Sequence, residues 1–254
     1  MASGPDRTSA DAAQLSLFGA TEAVVYRESR RARRLGLRVF PHGVVEVVVP
    51  PRTGRRRIEA FLASHRAWIE EARRTMLEVH GPHSLDPPGD LQLRAVEETW
   101  RVSYGAGPRR LSEAPAAGGG VLRLSGPADD QWRRDRLRRW LRVRAKAVLV
   151  PWMEAVSREL ELPFSSVSIR RQRSRWGSCS ADGRISLNCA LLFLDPALVR
   201  QVCVHELCHT RHLNHSPAFW RLVRRHAPDF RDREAALNQA WRDVPAWVTY
   251  DPPA

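Results

Sequence analysis

Three histidines and a glutamate carry the clearest chemistry in this sequence. His205-Glu206-Leu207-Cys208-His209 matches the pattern H-E-x-x-H. On an α-helix, positions four apart differ by about 40° around the axis, so both imidazoles leave one face and can share a tetrahedral ion such as zinc. Glu206 stands about 100° from His205, outside the ligand set but close enough to take a proton from a water held there. The pattern thus assigns two metal ligands and a general base. A bare match arises by chance in roughly two per cent of shuffled sequences of this composition, so a third ligand is required.

His215 is the leading candidate for that ligand. The helix breaks at Leu213-Asn214, and Ser216-Pro217 reads as the cap and first residue of the next helix. The six residues from His209 to His215 let the chain turn back toward the same ion. His212, three residues past His209 and on roughly the same helical face, is the competitor. Three imidazoles leave one position open to water or substrate, which marks a catalytic rather than a closed structural zinc site. His42, His65, His80, His83 and His226 have no ligand spacing to a neighbour and read as surface or packing residues.

Hydrolysis of an acyl bond also needs donors for the developing oxyanion. The loop Arg173–Ser178 is the candidate, with Arg173, Arg175, the indole of Trp176, Ser178 and the amides beside Gly177 facing the ion across a cleft. The competing reading makes Trp176 core filler and Gly177 the residue that permits a tight turn.

The elements that must position these groups describe an α+β chain. Residues 1–20 are small, polar and without period, and read as a disordered tail. VVYRES, LRVF and VVEVVVP alternate as strands of a small antiparallel sheet, with Pro41-His42-Gly43 as a turn. Thr53 to about Val79 has helical spacing, with Ile58, Phe61, Leu62, Ala67 or Trp68, Ala72 and Met76 on its apolar side. His80–Asp90 is a loop rich in proline and glycine, and LQLRAV, TWRVSYG and VLRLSG follow as three short strands, with Gly118–Gly120 at a flexible hairpin end.

Asp129 or Asp130 caps a long amphipathic helix to about Leu162, which Pro151 kinks or divides. SSVSIRRQ and RISLNCALLF are strands joined around Asp182-Gly183, and Asp195-Pro196 starts the helix of the metal motif, aspartate accepting from free amides. The expected organisation is a tail (1–20), a β-rich subdomain with one helix (21–128), a metallohydrolase domain with the H-E-x-x-H helix beside a small antiparallel sheet (129–245), and a tail (246–254).

Composition bounds the alternatives. The 254 residues suffice for one sizeable domain or two small ones, and 43% hydrophobic content can fill a core. No apolar run spans a membrane, and the start is polar and acidic where a secretion signal needs basic and apolar regions, so a cytoplasmic protein is expected. Cys179, Cys189, Cys203 and Cys208 lack C-x2-C spacing and read as reduced packing residues. The net charge of +13 suits an anionic partner, but the basic residues are spread along the chain and all but Lys146 are arginine. A generic solvated surface therefore competes with nucleic-acid association.

The segment RSRWGSCSADGRISLNCALLFLDPALVRQVCVHELCHTRHLNHSPAFW resembles the YgjP-like metallopeptidase family, which is related in its zinc helix to SprT-like proteases. Its carriers are the run Ser174–Cys179, the Asp-Gly hairpin, Asn188, the zinc helix and the Asn214-His215-Ser216 turn with Phe219-Trp220 beyond. Arg30–Arg34, LRVFPHGVVEVVVP and a helix with Trp68 extend the likeness over about residues 21–240. The resemblance implies a zincin-like fold, one zinc and a metal-dependent hydrolase, without naming a substrate; Cys208 stands where alanine is commoner in the family. The histidine offset is also that of metzincin sites, with His212 at their glycine position.

Three functions compete on these residues. A peptidase acting on protein or peptide follows from the motif and the resemblance. A nucleotide phosphohydrolase of the triphosphate pyrophosphatase type would use Arg170, Arg171, Arg173, Arg175 and Arg211 to grip phosphate. A nucleic-acid-associated protein with a structural zinc is the third, although the intact glutamate is hard to place in such a site.

Overall fold

A computed structural model describes residues 24–30, 32–39, 44–80, 85–172 and 175–249, the side chains of 77–80 excepted. The expected tail 1–20, the turn Pro41-His42-Gly43 and Arg173 lie outside the described residues. The chain divides into two compact units, residues 1–83 with 251–254, and residues 84–250. Among the described residues no helix is long and apolar enough to cross a membrane.

The first unit holds β1 (Val24–Glu28), β2 (Gly36–Val39) and β3 (Val45–Val49) in the order β1-β3-β2. The sheet is mixed rather than antiparallel: β2 and β3 are antiparallel, but β1 and β3 run parallel. The valine-rich β3 takes the centre because it is the strand best able to be buried on both faces, and Val45 and Val47 are fully buried. The expected single helix is two, α1 (Arg55–Ser64) and α2 (Arg66–His80), separated at His65. That break resets the helical phase. Leu62 and Ile69 face the β3 valines in the core, and Trp68, expected on the apolar side, is exposed.

The second unit begins with β4 (Asp90–Leu93), β5 (Glu98–Gly105), β6 (Arg110–Ala116) and β7 (Gly119–Ser125), ordered β4-β5-β7-β6. β6 was not expected; its sequence is polar, it contains Pro115, and it lies at the sheet edge, where both are tolerated. Gly119 and Gly120 are strand residues held between neighbours. A Cβ would meet Thr99 O at 1.9 Å and Ala114 O at 2.5 Å, respectively. Leu91, Leu93, Trp100, Leu122 and Leu124 belong to the same core as the later helices. This sheet, assigned from sequence to a subdomain ending at residue 128, thus packs in the unit that carries the H-E-x-x-H segment.

Helix α3 (Asp130–Leu160) runs through that core, capped by Asp129 Oδ1, which accepts from the amides of Gln131 at 2.9 Å and Trp132 at 3.2 Å. Pro151 does not divide it. Both Pro151 and Ala147, whose carbonyl loses its helical donor, are exposed, so water can take the missing bond. The segment 246–249, expected as tail, is the buried helical turn α7 (Ala246–Thr249). Trp247 fills core space, and its carbonyl accepts from the buried guanidinium of Arg138 at 2.6 Å.

A small sheet of β8 (Ser166–Arg170), β9 (Gly177–Cys179) and β10 (Arg184–Asn188) stands next, in the order β8-β10-β9. The Asp182-Gly183 turn joins β10 to the three-residue β9, antiparallel, while β8 pairs with β10 in parallel. A tight turn cannot join parallel strands, so the loop after β8 and the short β9 intervene. A 3-10 turn (Cys189–Phe193) leads to α4 (Pro196–His209), followed by α5 (Pro217–His226), α6 (Phe230–Gln239) and a second 3-10 turn (Ala240–Asp243).

Candidate metal centre

Helix α4 is buried along most of its circumference, through Val199, Val202, Cys203, Val204, Leu207 and Cys208 among others, which fixes its rotation and therefore the direction of its polar residues. Pro196 occupies its first turn as expected of a proline. Asp195, however, makes no capping bond. Its carboxylate accepts instead from Arg94 at 2.6 Å. The helix ends with Arg211 and His212 both donating to Cys208 O, at 3.1 and 3.0 Å. The chain then turns, and Ser216 caps α5 by accepting from the amide of Phe219 at 3.4 Å.

This turn brings His215 back onto α4. The Nε2 atoms of His209 and His215 each lie 3.2 Å from Nε2 of His205, and one ligand atom from each of the three falls within 4.8 Å of the others. A tetrahedral zinc with bonds of about 2.05 Å holds its nitrogens about 3.3 Å apart, so the spacing fits the ion. His212 is not in the cluster. Its backbone carbonyl accepts from Nδ1 of His209 at 2.9 Å.

The Nδ1 atoms of His205 and His209 are also committed. His205 Nδ1 lies 3.1 Å from Glu234 Oε1, which accepts from Gln201 Nε2 at 3.2 Å as well. With Nδ1 as donor in His205 and His209, Nε2 presents its lone pair inward, the tautomer a metal requires. Burial, joined by mutual repulsion between the rings, lowers the pKa of His209 and of His215, which favours neutral ligands. Burial works to raise the Glu234 carboxyl, but the hydrogen bonds from His205 and Gln201 outweigh it and the net shift is downward. Phe219 forms the floor, stacked on His209 at 4.4 Å and edge-on to His205 and His215 at 5.1 and 4.9 Å.

Glu206 is 5% exposed, and burial pushes its carboxyl up to about 7, with His205 and Arg175 pulling it down. Its Oε2 has no hydrogen-bond partner among the described residues. The carboxylate lies over β9: a Cβ on Gly177 would stand 2.6 Å from Glu206 Oε1 and 2.7 Å from its Cγ. Gly177 is therefore glycine because of this close approach, not because of a tight turn.

The four oxyanion candidates separate. Arg173 lies outside the described residues. Arg175 is exposed, and its charge reaches Glu206. Trp176 gives its indole N–H to Leu237 O at 3.1 Å and stacks on Trp241 at 3.9 Å, so it packs the loop and offers no donor to a substrate. Ser178 is half-buried in β9, opposite Ser186. The loop that carries them is pinned by fully buried Asn188, whose Nδ2 donates to Gln172 O at 2.8 Å and Arg175 O at 2.9 Å.

Sequence reasoning missed Glu234, which depends on tertiary placement, and named Phe219 and Asn188 only as carriers of the family resemblance, without their roles as floor and pin. All four cysteines are free, and burial raises every thiol, Cys179 and Cys189 to about 11, Cys203 and Cys208 to about 12.

No curated protein matches the chain. Among solved structures, the metallopeptidase zymogen of Pyrococcus abyssi, abylysin, is similar at 26% identity over 36% of this chain and 96% of its own, with a TM-score of 0.31. The description of the YgjP-like metallopeptidase domain matches residues 33–240, most of the length, and with that match the chain belongs to the YgjP-like metallopeptidase family.

Proposed function

We propose that the protein is a zinc metallopeptidase of zincin type, in which His205, His209 and His215 hold the ion and Glu206 is the general base. The observation that carries this reading is the convergence of three imidazole nitrogens, those of His209 and His215 each 3.2 Å from that of His205, beside a buried carboxylate with an oxygen unpartnered among the described residues. Zinc, when bound there, supplies a water acidified to a pKa of about 7 and polarises the carbonyl under attack. Glu206 takes the proton released on attack and returns it to the leaving amine. Its burial keeps it from being solvated between these steps, and Gly177 holds it close against β9. Glu234 and the His212 carbonyl fix two of the rings and keep their Nε2 atoms free of protons. Among the described residues of the loop, Arg175 is the cation whose charge reaches Glu206, and it is our candidate for stabilising negative charge.

The test is Glu206→Gln in zinc-loaded protein, assayed against unstructured polypeptides and nucleoside triphosphates with and without chelator. Polypeptide cleavage that chelator abolishes, and that falls by at least about 10³-fold in the variant with zinc retained, is expected. Cleavage of nucleotides alone, or undiminished turnover in the variant, would defeat the assignment.

A further inference from the structure

Beside the metal centre, three arginines line a pocket of about 420 Å³ whose walls contain no carboxylate. Arg221 and Arg224 come from α5 and Arg231 from the first turn of α6. None of the three guanidinium groups has a hydrogen bond or ion pair among the described residues, and Arg231 lies 5.9 Å from the Phe230 ring centroid. All three are exposed, as is Arg225 beside them, likewise unpaired among the described residues, whereas Arg200 pairs with Glu159 and Arg233 holds Asp229 at 2.7 Å. The pocket therefore concentrates positive charge that the fold itself leaves unanswered.

Its other walls are flat and apolar: Trp220, Phe230, Pro217 and Pro228. Trp220 connects pocket to metal site, its ring centroid 5.5 Å from that of His215 and 5.9 Å from that of His205. The indole already has near-parallel ring neighbours in Phe230, at 5.3 Å and 22°, and His215, at 30°. It serves as a wall rather than as a free platform on which a nucleobase could stack. What the pocket offers is an apolar lining for a short aliphatic stem and guanidinium forks for a carboxylate at its end.

We propose that this pocket is a specificity subsite for an acidic side chain of the peptide substrate. The proposal rests on the peptidase reading above. An extended peptide rises about 3.3 Å per residue, so a side chain held beyond Trp220 belongs to a residue one to three positions from the bond cut at the metal centre.

The experiment uses zinc-loaded full-length protein and matched fluorogenic peptides that carry Glu, Gln or Lys at each position within three residues of the cleaved bond. At one position the Glu peptide is expected to exceed the Gln peptide about tenfold in kcat/KM, the gain lying in KM, as a charge-assisted contact would give. In the triple variant Arg221→Gln, Arg224→Gln, Arg231→Gln that ratio falls to near one, and Arg224→Glu with Arg231→Glu turns the preference toward Lys. Zinc content and circular dichroism check that each variant is folded. A ratio near one in the unmodified protein, or a preference that survives the triple variant, overturns the subsite. Cleavage of no peptide of any charge is instead the failure of the peptidase reading. Anisotropy of labelled Glu and Gln peptides on the Glu206→Gln protein then decides the pocket, equal binding overturning it. Arginine-dependent hydrolysis of a nucleoside triphosphate in place of peptide overturns it too.

Discussion

Replacing Gly177 with alanine should disable the base while leaving the metal in place. The backbone at 177 is outside the left-handed region, so alanine is conformationally acceptable there, and the whole perturbation is one methyl group. That methyl would stand 2.6 Å from Glu206 Oε1, 2.7 Å from Cγ and 2.9 Å from Cδ. Comfortable separation of such atoms is about 3.5 Å, so the glutamate must retreat by roughly 0.8 Å. A displacement near 1 Å of a reacting group costs on the order of 10²-fold in rate. A fall in kcat of about 30- to 100-fold is therefore expected, equivalent to about 2 to 2.7 kcal/mol of activation free energy. The ligands come from α4 and the turn after it, so zinc content should stay at one per chain. Overpacking costs stability as well, by about 1 to 3 kcal/mol, which thermal denaturation will register separately. Steady-state kinetics on zinc-saturated Gly177→Ala protein decides the matter. A kcat within threefold of the parent at full zinc occupancy would refute the claim that this glycine sets the position of Glu206.

Four further outcomes follow from the same geometry. Glu234→Gln, which weakens the acceptor behind His205, should reduce zinc affinity by about 10- to 100-fold in a competition titration with a chromophoric chelator, and unchanged affinity would remove Glu234 from the site. His212→Ala should retain zinc and His215→Ala should lose it, since the first contributes only its backbone carbonyl; metal analysis of both after dialysis reads the difference. Trp176→Phe keeps the stack on Trp241 but deletes the bond to Leu237 O, so a stability loss of about 1 kcal/mol with turnover within twofold is expected; a large loss of kcat at normal stability would restore the indole as an oxyanion donor. Asn188→Leu leaves the carbonyls of Gln172 and Arg175 without their donor, and denaturant unfolding should show a loss of about 2 to 4 kcal/mol.

What could be read from the sequence was local. The H-E-x-x-H spacing, the Asp129 cap of α3, the Asp-Gly turn before β10 and the Ser216-Pro217 start of α5 each depend on residues within one or two turns of chain. What could not be read depends on which segments meet. Nothing near His205 marks Glu234, which is 29 positions away on another helix. The parallel pairing of β5 with β7 and of β8 with β10 inserts a strand between partners in sequence, and alternation of apolar residues carries no sign of direction. Trp68 was placed on the apolar side because one continuous helix was assumed; the break at His65 gives that place to Ile69. Gly177 was read for its backbone freedom, whereas its role comes from a glutamate on a different element. The sequence reading assigns 246–254 to a tail, yet Trp247 has a core position against α3.

X-ray absorption at the zinc edge of the fully loaded protein reads the ligand set of the ion itself. One zinc per chain is expected, with three imidazole nitrogens and one oxygen at about 2.0 to 2.1 Å and no sulfur. A sulfur shell near 2.3 Å would bring in a cysteine, and fewer than three imidazoles would leave out one of His205, His209 and His215. Either result would contradict the centre described above.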